Sequence, residues 1–116
     1  MATSKAVKRA FKANSRVSAE QMSEHAVDAA TLLRAMASEH RLMVLCTLVQ
    51  DEMSVSQLMD VIPLAQSALY QHLAVLRRER LVATRREGQT VYYSLNPGPA
   101  LSVIRVLYNN FCCAKS

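Results

Sequence analysis

Gln66–Leu95 reads QSALYQHLAVLRRERLVATRREGQTVYYSL, and its two halves follow different periodicities. In the first half Leu69, Leu73 and Leu76 fall at i, i+4 and i+7, the spacing of one buried helical face, which predicts a helix from about Ala65 to Arg80. In the second half Leu81–Arg86 and Thr90–Leu95 are rich in Val, Thr and Tyr and flank a turn holding Glu87 and Gly88, which predicts a β-hairpin. At about 100° per residue, Ser67, Gln71, Ala74 and Arg78 lie opposite the leucines, with Tyr70 at the edge. That outer face is short-chained and polar. It suits a DNA major groove, where Gln pairs with adenine, Ser bonds several base edges and Ala touches a thymine methyl. A plain solvated helix face has the same appearance, but the neighbours favour DNA. Arg77, Arg78, Arg80, Arg85 and Arg86 gather where the helix ends and the hairpin begins, a cationic edge able to span adjacent phosphates. The candidate DNA-contacting residues are Gln66, Ser67, Tyr70, Gln71, Arg77, Arg78, Arg85 and Arg86.

Upstream, Ala26, Ala29, Ala30 and Leu33 recur at helical spacing and predict a first helix over about Ala19–Ala37. Ser38 is a candidate N-cap for a second, carrying Leu42, Leu45, Cys46 and Val49 and ending near Asp51. Ser54 caps a short third helix with Val55, Leu58, Met59 and Ile62, which Pro63 stops. Downstream of the hairpin, Asn96–Pro99 opens a last helix with Leu101, Ile104, Tyr108 and Phe111 on one stripe. A short helix, a tight turn, a polar-faced helix and a hairpin form, in that order, a winged helix-turn-helix: mainly α, with a β-hairpin wing.

The 116 residues, 51% hydrophobic, suffice for one core but leave no room for a separate sensory domain. The expected division is a basic arm over 1–18 and one DNA-binding and dimerisation domain over 19–116. A net charge of +5 favours an anionic partner. The longest apolar stretch, Leu42–Val49, is far too short to cross a bilayer, so no membrane partner is expected. Residues 1–18 carry five basic side chains, no acid and no apolar block, which excludes a secretory signal and implies a cytoplasmic chain, although the composition also suits an organellar transit peptide. Three cysteines, Cys46, Cys112 and Cys113, do not make a secreted disulfide framework. With no CxxC pair and no alternating strand-helix pattern, a thiol oxidoreductase finds no support, and no enzyme is expected.

The sequence resembles the ArsR/SmtB family through Leu33–Leu48, Ser54–Leu58 and above all Gln66–Leu95, most specifically at Gln71-His72-Leu73, Leu76-Arg77 and Gly88–Tyr93. The likeness covers about residues 24–113. It departs from the common recognition pattern at Ala65 and Tyr70, so the operator cannot be carried over. The resemblance implies a homodimer built mainly from the first and last helices, double-stranded operator DNA as partner, and repression relieved by an inducer.

Both usual metal sites fail on the residues. Ser54 and Ser56 stand around Val55 where soft metals need cysteine, and residues 97–116 contain neither Asp nor His, so no metal or cofactor is expected. His72 lies beside the buried stripe and is expected to be a hydrogen-bonded structural histidine. Cys46 and Cys112 sit on apolar stripes, where cysteine often serves as a small hydrophobe. The VLCTL and LYNNFC contexts, however, resemble the BigR, HlyU and SqrR branch. That resemblance implies that Cys46 and Cys112 are sensing thiols, bridged by oxidants or reactive sulfur species, in a repressor of sulfide or redox detoxification genes. An activator or anti-repressor role and a protein-interaction module with structural cysteines stay open as alternatives.

Overall fold

A computed structural model describes residues 17–112, the last by its backbone alone. The basic arm, apart from its final two residues, and Cys113 lie outside the described residues. The chain divides into two compact units, Met1–Thr31 and Leu32–Ser116.

Helix α1 (Ala19–Met36) starts in the first unit and runs on into the second. Its start is fixed by a reciprocal cap: the Gln21 amide donates to Ser18 Oγ at 3.2 Å and the Ser18 amide to Gln21 Oε1 at 3.0 Å. The Ala26, Ala29, Leu33 stripe is exposed, and α1 buries only Ala35 and Met36 of its last turn.

The second unit continues with α2 (Glu39–Gln50), β1 (Met53–Ser54), α3 (Val55–Val61), α4 (Gln66–Arg78), β2 (Val82–Glu87), β3 (Thr90–Leu95), α5 (Pro99–Leu107) and a π-helical turn, Tyr108–Cys112. Ser38 caps α2, and Ser54 with Gln57 forms a full capping box on α3. The three strands are antiparallel in the order β1-β3-β2. Gly88, at φ 63°, is the first of the two residues joining β2 to β3, where a type II′ hairpin turn requires a left-handed conformation. Leu45, Leu58, Ile62, Leu69, Leu73, Leu76 and Ile104 are no more than 1% exposed and join α2, α3, α4 and α5 in one core.

The sequence expectation does not include β1 and places Glu87 in the turn, whereas Glu87 closes β2 opposite Thr90; two helix ends differ as well. The last helix keeps Ile104 buried and Tyr108 half-buried, but Phe111 is 81% exposed. The cause is the π turn, which advances fewer degrees per residue than an α-helix and carries Phe111 off the Leu101–Ile104 line. Helix α4 ends at Arg78 instead of Arg80, because Arg80 takes the left-handed conformation at φ 61°. The Leu81 amide then reaches Leu76 O at 2.8 Å and the Arg80 amide reaches Arg77 O at 3.0 Å, the paired bonds of a Schellman ending, with Leu76 and Leu81 both buried beneath. Arg80→Gly should therefore raise stability by roughly 1 kcal/mol, since glycine adopts that conformation without a Cβ penalty. A thermal melt checks it: a Tm equal to or below that of the unsubstituted protein contradicts the strain assigned to Arg80.

Candidate nucleic-acid interface

Helix α4 is held by its inner face and offers its outer one. Leu69, Leu73 and Leu76 are buried, while Gln66, Ser67, Tyr70, Gln71, Ala74, Arg77 and Arg78 are exposed. The turn before it is set by Pro63: Ile62 is extended (φ −107°, ψ 121°), and the Leu64 amide closes a tight loop onto Ile62 O at 2.8 Å. Helices α3 and α4 thus form a helix-turn-helix pair, and the hairpin stands beside α4 as a wing. Tyr70 and Tyr93 line both of two clefts there. One, about 470 Å³, is lined by Leu73, Arg77, Arg78 and Tyr93; the other, about 530 Å³, reaches Ser56, Gln66, Gln89 and Val91. Burial raises the pKa of the Tyr93 hydroxyl, which therefore stays protonated and able to donate.

Strand register sorts the wing arginines. Arg86 is opposite Val91 and Thr84 opposite Tyr93, so Arg86 shares the face whose Val91 and Tyr93 line the clefts beside α4. Arg85, opposite Tyr92, is on the other face. There its Nε donates to both Glu52 carboxylate oxygens at 2.8 and 2.9 Å, its Nη2 also donates to Glu52, and its Nη1 donates to Glu87 at 2.7 Å. The guanidinium lies 4.6 Å from the Tyr92 ring centroid. These bonds hold the Glu52 carboxyl below its ordinary pKa and push Arg85 further up. Among the described residues Arg78 pairs with the adjacent Glu79, at 3.4 Å, and stays 70% exposed. Sequence reasoning grouped Arg85 with Arg86; the period-2 alternation of a strand was the signal that separates them. Glu52, in the link after α2, carried no signal.

Arg41 of α2 ties together three segments of the core. Its Nε donates to Ala35 O at 2.5 Å and its Nη2 to Arg34 O at 3.3 Å, satisfying carbonyls at the end of α1, while Nη1 lies 3.3 Å from His72 Nδ1 on α4. Arginine is an obligate donor, so Nδ1 accepts and the imidazole is neutral, protonated on Nε2. Partial burial first, then Arg41 and His40, whose ring centroid is 5.7 Å away, lower the His72 pKa.

Cys46 is buried on α2, at 9% exposure. One turn further along, Gln50 Nε2 donates to the Tyr108 hydroxyl at 3.2 Å, fixing the end of α2 to the π turn that closes at Cys112. Ser54 Oγ, at one usual metal position, is occupied in capping α3.

A helix-turn-helix pair with an exposed polar reading face and a cationic wing defines a winged-helix DNA-binding regulator. The comparisons with known proteins agree and narrow the class. Residues 38–84 match the model of the bacterial regulatory proteins of the arsR family. The transcriptional activator HlyU of Vibrio cholerae is 45% identical over 96 residues, 83% of this chain and 89% of that protein. The structure of reduced HlyU from Vibrio cholerae superposes with a TM-score of 0.77 at 45% identity, covering 81% of this chain and 99% of that one. That of the transcriptional repressor BigR from Xylella fastidiosa gives 0.76 at 38%, covering 82% and 94%. The chain belongs to the ArsR family; it is a transcriptional regulator, not an enzyme. Among the described residues, no helix is long and apolar enough to cross a membrane.

The His72 environment sets a pH dependence. With the folded-state pKa depressed, the unfolded chain takes up the proton first as pH falls below about 6.5, so stability is full above that value and declines through the lower folded pKa. Urea midpoints should fall between about pH 7.5 and pH 5.5, and His72→Gln should flatten the fall. An equally steep loss in the variant would assign the titration to another group.

Proposed function

We propose that the chain is a homodimeric, cytoplasmic repressor whose hold on double-stranded operator DNA is switched by oxidation, or by persulfide or polysulfide modification, of Cys46 and Cys112, in control of sulfide or redox detoxification genes. The observation that carries the thiol reading is the fastening of α2 to the C-terminal π turn. Gln50, four residues after Cys46, bonds Tyr108, four residues before Cys112, so each cysteine is about one helical turn from a common contact. A peroxide would convert two such thiols to a disulfide with release of two waters. A polysulfide, attacked by each thiol in turn, would leave its inner sulfur atoms between them as its two terminal sulfurs depart as hydrogen sulfide, and would span a separation wider than the roughly 7 Å between Cα atoms that a direct disulfide tolerates.

On DNA, Gln66, Ser67, Tyr70 and Gln71 face base edges, and Arg77, Arg78 and Arg86 meet phosphates. The homodimer reading is supported by apolar side chains that the single chain leaves exposed: Met22, Val27 and Leu33 on α1, Val106 on α5 and Phe111 beyond it. Two copies would set their α4 helices in successive major-groove turns about 34 Å apart. Bridging the thiols would shift the π turn against α2 and change how the paired helices fit. An activator or anti-repressor role is the second reading, favoured by the 45% identity to an activator against 38% to BigR. A reporter fused to the target promoter separates the two by the sign of its response to deletion of the regulator.

The unsubstituted protein can select its own operator duplex from a random library. Cys46→Ser and Cys112→Ser should each bind that duplex as tightly as the reduced protein and no longer release it on treatment with peroxide or polysulfide; release retained by both variants rejects the pair. Arg78→Gln and Arg86→Gln should each weaken binding to all duplexes alike. In the dimer each substitution removes one contact per copy and should lower the slope of log affinity against log salt by about 1.8. An unchanged slope removes that arginine from the phosphate contacts.

A further inference from the structure

We infer that Arg85 is the positioning residue of the wing: its forked pairing with Glu52 fixes the hairpin to the link that follows α2, and it does not serve as a phosphate contact. The inference rests on the wing meeting DNA, as proposed above.

Three observations converge on this role. The strand register turns Arg85 away from the face that lines the clefts beside α4, where Arg86 stands. The guanidinium is already engaged by two carboxylates, with Nε and Nη2 both on Glu52 and Nη1 on Glu87, and is stacked on Tyr92. A phosphate would have to displace both acids and would itself be repelled by them. Glu52 in turn has a fixed frame: its own amide donates to Asp51 Oδ1 at 2.8 Å, and the next two residues, Met53 and Ser54, pair with Tyr93 and Tyr92 as β1. An exposed single ion pair contributes little, but a forked arginine between two acids and an aromatic ring fixes direction as well as distance. β1 offers only two residues to the sheet, so the ion pair is a second anchor for a hairpin whose far end is a two-residue turn. The same link follows directly on Gln50, which holds the π turn, so the wing and the C-terminal segment are fastened two residues apart.

The test uses the reduced full-length chain and the duplex it selects from a random library. Arg85→Gln should weaken binding about fivefold while leaving the salt slope as in the unsubstituted protein, whereas Arg86→Gln, lost from both copies, lowers that slope by about 1.8. Arg85→Lys keeps the charge but loses the fork, and should be as weak as Arg85→Gln. The exchanged pair Glu52→Arg with Arg85→Glu should recover affinity that Arg85→Glu alone loses, with thermal melts confirming that each variant is folded. A slope reduced by Arg85→Gln as by Arg86→Gln, full binding by Arg85→Lys, or no rescue in the exchanged pair would overturn the assignment. If Arg85→Gln and Arg86→Gln both leave affinity and slope untouched, the wing does not meet DNA and the underlying reading falls with it.

Discussion

The structure depends on α4 being held by three leucines. Leu69, Leu73 and Leu76 are sealed from solvent against α2, α3 and the base of the hairpin. Each is worth roughly 1.5–3 kcal/mol of apolar burial. Replacing one by a smaller residue would cost more than its transfer free energy, because a close-packed core relaxes only in part around the cavity. Because these leucines, with half-buried Val75 and the His72 contact to Arg41, anchor one side of the helix, the opposite side is free of packing duty. Gln66, Ser67, Gln71 and Ala74 can therefore be short and polar, and the helix still has a fixed direction in the fold.

Helix α2 is the element to which the others are referred. Near its start Arg41 reaches the end of α1 and His72 on α4; in its middle Cys46 is buried; at its end Gln50 holds Tyr108, and two residues on Glu52 holds Arg85. Reading helix and C-terminal turn are thus each joined to α2, and the wing to the link directly after it, by a polar contact beyond the shared apolar core. A displacement of the π turn would load α2 at the end where the wing is fastened. Were Cys46 and Cys112 the switch proposed above, this physical continuity would offer it a route to the wing within a single chain.

Most of the fold was legible because its signals are local. The leucine spacing of α4, the serine caps before α2 and α3, the Pro63 stop and the Gly88 turn each act within a few residues, and these helices and the hairpin form where those signals put them, whereas the two-residue β1, made by pairing with β3, had no local signal. The misplaced ends had other causes. The Schellman ending at Arg80 carries no glycine, so nothing in the residue type announces the left-handed conformation; the deciding force is burial of Leu81 over Leu76. The change to π geometry at Tyr108 is tertiary in the same way, since Tyr108 is tied to a residue 58 positions earlier. The exposed face of α4 was readable from angular position alone. The partners of the arginines were not, because Glu52 and Arg85 meet only after the hairpin has folded back on the link behind α2.

The charge pattern shows why those partners matter. A net charge of +5 is a modest excess, and its effect on DNA depends on which cations remain available. Around the wing three acids stand among five bases: Glu52, Glu79 and Glu87 among Arg77, Arg78, Arg80, Arg85 and Arg86. Two of the three acids converge on one arginine, on the strand face turned from the clefts beside α4. This concentrates negative charge behind the wing and leaves the side of Arg86 and the end of α4 as the cationic edge. A strand that alternates its side chains can in this way place an anchored arginine and an available one at consecutive positions, and the field presented to phosphates becomes directional without a large net charge.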